Sequence, residues 1–222
     1  MTPFELLKTA CHAACRQTPA CAPSYRAMLK TENISQMMAV WREYWEDISG
    51  GKYADIINDR LPAAYPTLRK EMNAAGIYVN ECPKVAPEYV RVLVTEQAFI
   101  VDIHDYARCY VLGGAIVQAF DHSQVYSDRC DQAYIELRDH AYGHVSKGFV
   151  QATDTTQLWT AADAVLNGSV MCEAHGGTVK AYAYRKIEAS GDTKVYAASE
   201  RNITLDGNAT ILPLTTFPQQ HL

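Results

Sequence analysis

Three histidine–aspartate couples recur in the second half of the chain: His104-Asp105, Asp121-His122 and Asp139-His140. An imidazole beside a carboxylate can shuttle a proton near neutral pH or offer ligands to a cation. The competing use is structural, because Asp reverses a chain cheaply and a solvated His beside it needs no further role. We adopt the turn. Cys11, His12, Cys15 and Cys21 are residue types that bind zinc, but their spacing matches no strong zinc motif. Cys11 and Cys15 stand one helical turn apart on an apolar face, where small thiols pack as core residues. We therefore expect no metal and no cofactor. Asp102 and Glu136 could serve as the paired carboxylates of a glycosidase, provided their separation suits the reaction. Ser, His and Asp occur without a GxSxG elbow, and Gly113-Gly114 is followed by no helix pattern that would make it a phosphate loop.

These residues sit in an array. AIVQAFD, SQVYSDR, AYIELRD, FVQATD and TKVYAAS are variants of one phrase, repeating every eight residues with small slips. The third position is apolar (Val101, Val117, Val125, Ile135, Val150, Leu166, Val179, Ile187, Val195), and the fifth is small or aliphatic (Ile103, Ala119, Leu137, Ala152, Gly168, Ala181, Ala197). Side chains alternate across a strand, so positions one, three and five face an interior, and two, four and six face out. Position seven carries turn-formers, as at Asp105, Asp121, Asp139, Asp154, Gly191 and Gly207. One strand and one turn cannot bury an apolar side alone, whereas stacked copies can. The calcium-binding GGxGxD nonapeptide is absent, and the period of eight is not that of hexapeptide-repeat acyltransferases.

The outward positions set the number of strands per coil. Position four reads Asp102, Tyr110, Gln118, Tyr126, Glu136, His144, Gln151, Trp159, and position two reads Ile100, Arg108, Ile116, Gln124, Tyr134, Tyr142, Phe149, Gln157. Alternate members share a character. A two-unit coil of about 16 residues gives each parity its own sheet, while a three-unit coil scrambles both. The expected fold is α+β: a small helical domain, then a parallel β-helix (β-solenoid) with a two-sheet coil, a three-sheet coil being the alternative. One sheet should then carry Tyr110, Tyr126, His144 and Trp159 among Arg108, Gln124 and Gln157, rings with polar neighbours of the kind that recognise a ligand or protein. The other should line up Ile100, Ile116, Tyr134, Phe149 and Val165 at position two, a row too apolar to leave bare. The N-terminal helices could cover it through Trp41 or Trp45, or a homodimer or other partner could.

Residues 1–80 read as helical. Thr2-Pro3-Phe4-Glu5 is a helix start, and Phe4, Leu7, Cys11 and Ala14 form its apolar side. A short helix is expected over 24–30. A longer one over 34–48 has Ile34, Met38, Trp41, Trp45 and Ile48 as its stripe and Gly50-Gly51 as its stop. Pieces over 54–61 and 67–75 are separated by Pro62 and Pro66, with Gly76 as a C-terminal cap. Ile77-Tyr78-Val79 reads as a first strand. The domains expected are 1–80 (helical), 88–212 (solenoid) and 213–222 (tail).

A net charge of -5 argues against a nucleic-acid partner, and no run of eighteen apolar residues predicts a membrane span. The start MTPFELLKTA does not read as a secretion signal. Seven scattered cysteines fit free thiols in a reducing cytoplasm. AIVQAFDHSQVY and GTVKAYAYRKIEASGDTKVYAAS are similar to the VxAxDxAxVxA arrays of uncharacterised bacterial and phage-borne octapeptide-repeat proteins, in which a short helical region often precedes the array. The resemblance covers residues 92–211, implies a β-solenoid and supplies no catalytic residues. The expected function is a non-enzymatic interaction or scaffold protein presenting a rigid surface to a protein or polymer. The alternative is a carbohydrate-binding or carbohydrate-active β-helix.

Overall fold

The computed structural model describes residues 1–17, 22–44, 52–81, 92–94, 100–111, 113–127 and 130–217. It divides into two compact units, Met1–Val79 and Asn80–Leu222.

The first unit holds α1 (Pro3–Gln17), α2 (Ala22–Leu29), α3 (Ile34–Glu43), α4 (Lys52–Ala74) and β1 (Ile77–Val79). The start of α1 is a capping box: Thr2 N–H donates to Glu5 Oε2 at 2.6 Å, and Glu5 N–H donates to Thr2 Oγ1 at 3.2 Å. Asn33 caps α3, its side chain accepting from Gln36 N–H at 2.9 Å, while Gln36 Oε1 accepts from Glu32 N–H at 2.7 Å. Leu7, Cys11, Met28, Ile34, Met37, Tyr65 and Met72 form the buried core. Of the stripe expected on α3, Ile34 is buried, and Met37 is buried as well; the side chains of Met38 and Trp41, together with Trp45 and Ile48, lie outside the described residues. One expectation changes. The two pieces expected around Pro62 and Pro66 join into α4, and the only break is a non-helical Leu68 (φ -108°, ψ 16°), two residues past Pro66. A proline's missing N–H and ring clash bend a helix without necessarily ending it. Gly76 (φ +83°) closes α4 in the left-handed conformation.

The second unit is a parallel β-solenoid of about 7 turns. Its strands are β2 (Val92–Val94), β3 (Ile100–Ile103), β4 (Arg108–Val111), β5 (Ile116–Ala119), β6 (Gln124–Ser127), β7 (Tyr134–Leu137), β8 (Tyr142–Val145), β9 (Phe149–Asp154), β10 (Gln157–Thr160), β11 (Asp163–Gly168), β12 (Met171–Ala174), β13 (Thr178–Ala183), β14 (Lys186–Ala189), β15 (Lys194–Ala197), β16 (Ile203–Leu205) and β17 (Thr210–Pro213). Even strands stack in the order β2-β4-β6-β8-β10-β12-β14-β16, and odd strands in the order β17-β15-β13-β11-β9-β7-β5-β3. Each coil therefore contributes one strand to each of two sheets. Along the even sheet, register partners are 16 residues apart at Arg108–Gln124, 18 at Gln124–Tyr142, 15 at Tyr142–Gln157, 14 at Gln157–Met171 and 15 at Met171–Lys186.

All of that variation arises at one edge. From each odd strand to the next even one, the inward residue repeats after eight: Val101 to Cys109, Val117 to Val125, Ile135 to Gly143, Val150 to Leu158 and Ala164 to Cys172. The opposite edge ranges from ten residues (Val125 to Ile135) to six (Leu158 to Ala164). The constant edge carries an aspartate ladder. Asp105, Asp121, Asp139 and Asp154 all adopt left-handed φ of 54–57°. The carboxylates of Asp121, Asp139 and Asp154 each accept the N–H of the aspartate one coil earlier, at 3.1–3.3 Å. An inserted residue there would break a bond on either side.

The interior follows the expected positions. Val101, Ile103, Val117, Ala119, Ile135, Leu137, Val150, Ala152, Val179, Ala181, Ile187 and Val195 are at most 3% exposed. Interior hydroxyls are satisfied by carbonyls, as for Ser123 on Phe120 O at 2.6 Å and Thr160 on Val145 O at 3.0 Å. Gly143 makes room for leucines, since a Cβ there would lie 2.6 Å from Leu137 Cδ1. Residues 213–217, expected as the start of a tail, pack back on the odd sheet. There the Phe217 ring meets Tyr196 edge-on at 4.9 Å, and Lys180 Nζ lies 4.3 Å from its centroid.

Cys109 and Cys172 face the interior, where burial pushes the first thiol well above its ordinary value. Burial, with the Glu173 charge adding to it, pushes the second up to about 12. Cys130 is only half-buried at the variable edge. Because the thiolate is the nucleophile, brief iodoacetamide treatment of folded protein should alkylate Cys130 at least about tenfold faster than Cys109 or Cys172. Peptide mass mapping reads this. Equal rates at the three would mean that the interior opens.

Candidate interaction surface

The even sheet places the expected ring row on consecutive rungs. Tyr110 pairs in register with Tyr126, Tyr126 with His144 and His144 with Trp159. Gln124, Tyr142 and Gln157 form the row beside it, with Arg108 at its start. The side chain of Tyr110 lies outside those described.

From Tyr126 onward the rings stack on one another. The Tyr126 and His144 centroids are 6.2 Å apart with planes 26° from parallel, and His144 and Trp159 are 4.0 Å apart at 6°. Trp159 and His175, from the turn after β12 (Met171–Ala174), are 5.0 Å apart at 29°. Strands in a sheet stand about 4.8 Å apart, within the roughly 4.5–7 Å centroid spacing of aromatic pairs, so in-register rings can meet face to face. Trp159 thus has an imidazole on each face, and the row presents its edges outward.

The row continues beyond what the sequence reading named. Glu173 follows Trp159 in register, then Glu188, while Met171 and Lys186 follow Gln157 in the neighbouring row. Lys186 and Glu188 form an ion pair. Tyr142, Gln157, Trp159, Met171, Glu173, Lys186 and Glu188 line one shallow depression. Its outer half was missed because the coil shortens by two residues between β10 (Gln157–Thr160) and β11 (Asp163–Gly168). The pair Ala161-Ala162 in place of a four-residue turn is the signal that could have revealed the shift.

The same shortening displaces Val165. Ile100, Ile116, Tyr134 and Phe149 do align on the odd sheet, with Ile100 60% exposed and the Tyr134 and Phe149 rings stacked at 5.5 Å. The next member of that row, however, is Asp163; Val165 stands in the adjacent row between Gln151 and Lys180. The apolar stripe therefore ends at Phe149 with a charge.

The His–Asp couples do gather on one edge, the aspartate edge. His122 and His140 stack at 5.2 Å, Tyr106 stacks on His122 at 5.3 Å, and His104 stacks on Phe120 at 4.7 Å. The carboxylates of Asp121 and Asp139 accept backbone N–H groups, which supports the turn reading, and His104 Nδ1 lies 3.5 Å from Asp121 Oδ2. Glu136 and Asp102 share a row but are two rungs apart, with Gln118 between them. Gln118 Nε2 donates to Glu136 Oε2 at 2.7 Å, and Arg138 Nε donates to Oε1 at 2.8 Å. Burial alone would raise the Glu136 carboxyl, but these hydrogen bonds and the guanidinium charge outweigh it and hold the pKa below its ordinary value. Such a group is a poor proton donor at neutral pH. Among the described residues, no three His, Cys, Asp or Glu side chains group as metal ligands would.

A second polar cluster lies at the variable edge. His175 bonds through Nε2 to Glu173 Oε1 at 2.7 Å and through Nδ1 to Ser190 Oγ at 2.9 Å. No protein-family model, curated protein or solved structure matches the chain.

Proposed function

We propose that the even sheet of the solenoid is a recognition surface for a protein partner, centred on Tyr126, His144 and Trp159 and flanked by Gln124, Tyr142 and Gln157. The observation that supports this reading is the orientation of the rings. A sugar ring binds an aromatic platform face to face, and in this row Trp159 already has both faces covered by His144 and His175. What remains outward is a line of edges alternating with amides, together with the Lys186–Glu188 pair. Mixed edges of this kind suit a protein surface, where aromatic bodies and polar tips contribute together. The rigidity of a seven-turn stack lowers the ordering cost of binding.

The test is site-specific photo-crosslinking in cells that make the protein. A benzophenone side chain at Gln124 or Gln157 should trap a discrete protein, whereas the same group at Lys194 on the odd sheet should not. Tyr126→Ala with Trp159→Ala should abolish the adduct while circular dichroism and mass stay unchanged. Crosslinks that arise only at Lys194, or retention on immobilised polysaccharide that Trp159→Ala removes, would contradict the assignment.

A further inference from the structure

We propose that Ser190 is a nucleophile, activated by His175 and oriented through Glu173, in a small acyl-transfer site at the variable edge. The inference goes beyond the recognition surface and does not depend on it. The three groups meet in the geometry that nucleophilic catalysis needs. A neutral imidazole that donates Nε2–H to Glu173 Oε1 at 2.7 Å keeps its Nδ1 lone pair for the Ser190 hydroxyl 2.9 Å away. Ring nitrogens are used in the opposite sense from the common serine hydrolases, but the roles of nucleophile, base and orienting carboxylate are the same. Those roles, rather than sequence order, define such a site.

Each member is held by the coil. Glu173 is within β12, and His175 N–H donates to Thr160 O at 2.8 Å. The face of its imidazole rests on Trp159. Ser190 follows β14 (Lys186–Ala189) one coil later; its N–H donates to Ala174 O at 2.8 Å and its carbonyl accepts from Thr193 Oγ1 at 2.6 Å. Sites carried on rigid elements keep catalytic geometry. Glu173, His175 and Ser190 also line a depression with an apolar wall at Leu205 and carboxylates at Glu188 and Asp206. Those carboxylates suit an ester with a neutral or cationic alcohol portion.

The chemistry balances without a cofactor. Ser190 Oγ forms a bond to the ester carbonyl carbon as its proton passes to His175 Nδ1. The tetrahedral intermediate collapses, the bond to the alcohol oxygen breaks, and His175 returns the proton to that oxygen. Water then attacks the acyl-serine with His175 again taking the proton; the Oγ–carbon bond breaks as His175 returns that proton to Oγ, releasing the carboxylic acid and restoring the Ser190 hydroxyl. The Glu173 carboxylate steadies the transient imidazolium.

The experiment treats the full chain with a fluorophosphonate and with p-nitrophenyl acetate and maps the adducts by mass spectrometry. Ser190 should be labelled in the folded protein at a rate that falls roughly 100-fold or more in His175→Gln, the range for loss of a general base. Glu173→Gln should change the pH profile of labelling and leave the adduct at the same residue. Circular dichroism of both variants checks that the fold is retained. If Ser190 carries no adduct after prolonged exposure, or is labelled equally fast in a folded His175→Gln, the inference is wrong.

Discussion

Replacing Ala119 by arginine should destabilise the chain by about 3–5 kcal/mol or more, the range for an uncompensated buried charge. The same change at the neighbouring Gln118 should stay within about 1 kcal/mol. The two positions are adjacent in sequence but point to opposite sides of β5 (Ile116–Ala119). Ala119 is fully buried between strands of the odd sheet and has no room for a guanidinium or for water. Gln118 is outward, and an arginine in its place still reaches Glu136, the group Gln118 already bonds. Urea unfolding of both variants measures the difference. Equal losses would mean that the inward and outward sides are assigned wrongly.

The second large effect comes from a single methyl group. Alanine at Gly168 would put its Cβ 2.4 Å from the backbone nitrogen and 2.7 Å from the carbonyl oxygen of Asp154, the register partner on the previous coil. Neither atom can swing aside as a side chain could, so the coils must separate locally, at a cost of about 1–3 kcal/mol or more. Gly114→Ala is the control. Its added Cβ would find Gln132 no nearer than 3.5 Å, an ordinary contact, and the change should stay within about 1 kcal/mol. Thermal unfolding distinguishes the two, and a tolerated Gly168→Ala would show that the packing of these coils is looser than described.

Gly168 also shows where the eight-residue arithmetic stops being legible. The eight-residue repeat puts it at the inward fifth position, following Leu166 at the third. In the structure Leu166 is itself the inward fifth residue, paired with Ala152, and Gly168 is the last residue of β11, in register with Asp154. The two-residue contraction at Ala161-Ala162 explains this error and the misplacement of Val165. Upstream of it, the alternation of Ile116, Val117, Gln118 and Ala119 with Gln124, Val125, Tyr126 and Ser127 carries enough burial contrast to fix both coil size and face. Asp105, Asp121 and Asp139 were readable as turns because few other residues enter the left-handed region cheaply. Their carboxylate-to-backbone ladder was not readable, since it requires knowing that each turn sits directly over the next.

Ring orientation was equally hidden. Tyr126, His144 and Trp159 could be assigned to one row from spacing alone, but whether they lie flat on the sheet or stand face to face depends on rotamers and on the rung separation. That difference separates a sugar platform from an edge-lined protein surface. The Ser190–His175–Glu173 cluster was missed for a topological reason. His175 falls in the irregular stretch before Gly177, and Ser190 reaches it only because the coil between Met171 and Lys186 is 15 residues long.

The shortened coil brings Trp159 over Glu173 and joins the ring row to the depression beyond it. Disulfide trapping measures this directly. Gln157 and Met171 are register partners only 14 residues apart, and neighbouring strands bring such Cα atoms within the roughly 4.4–6.8 Å a disulfide requires. Gln157→Cys with Met171→Cys should therefore oxidise rapidly, with the cystine identified by peptide mapping. Gln157→Cys with Glu173→Cys, the pair that an unbroken sixteen-residue period would align, is offset by two residues to about 8 Å and should form slowly or not at all. Rapid closure of the second pair and not the first would contradict the register on which the proposed surface is built.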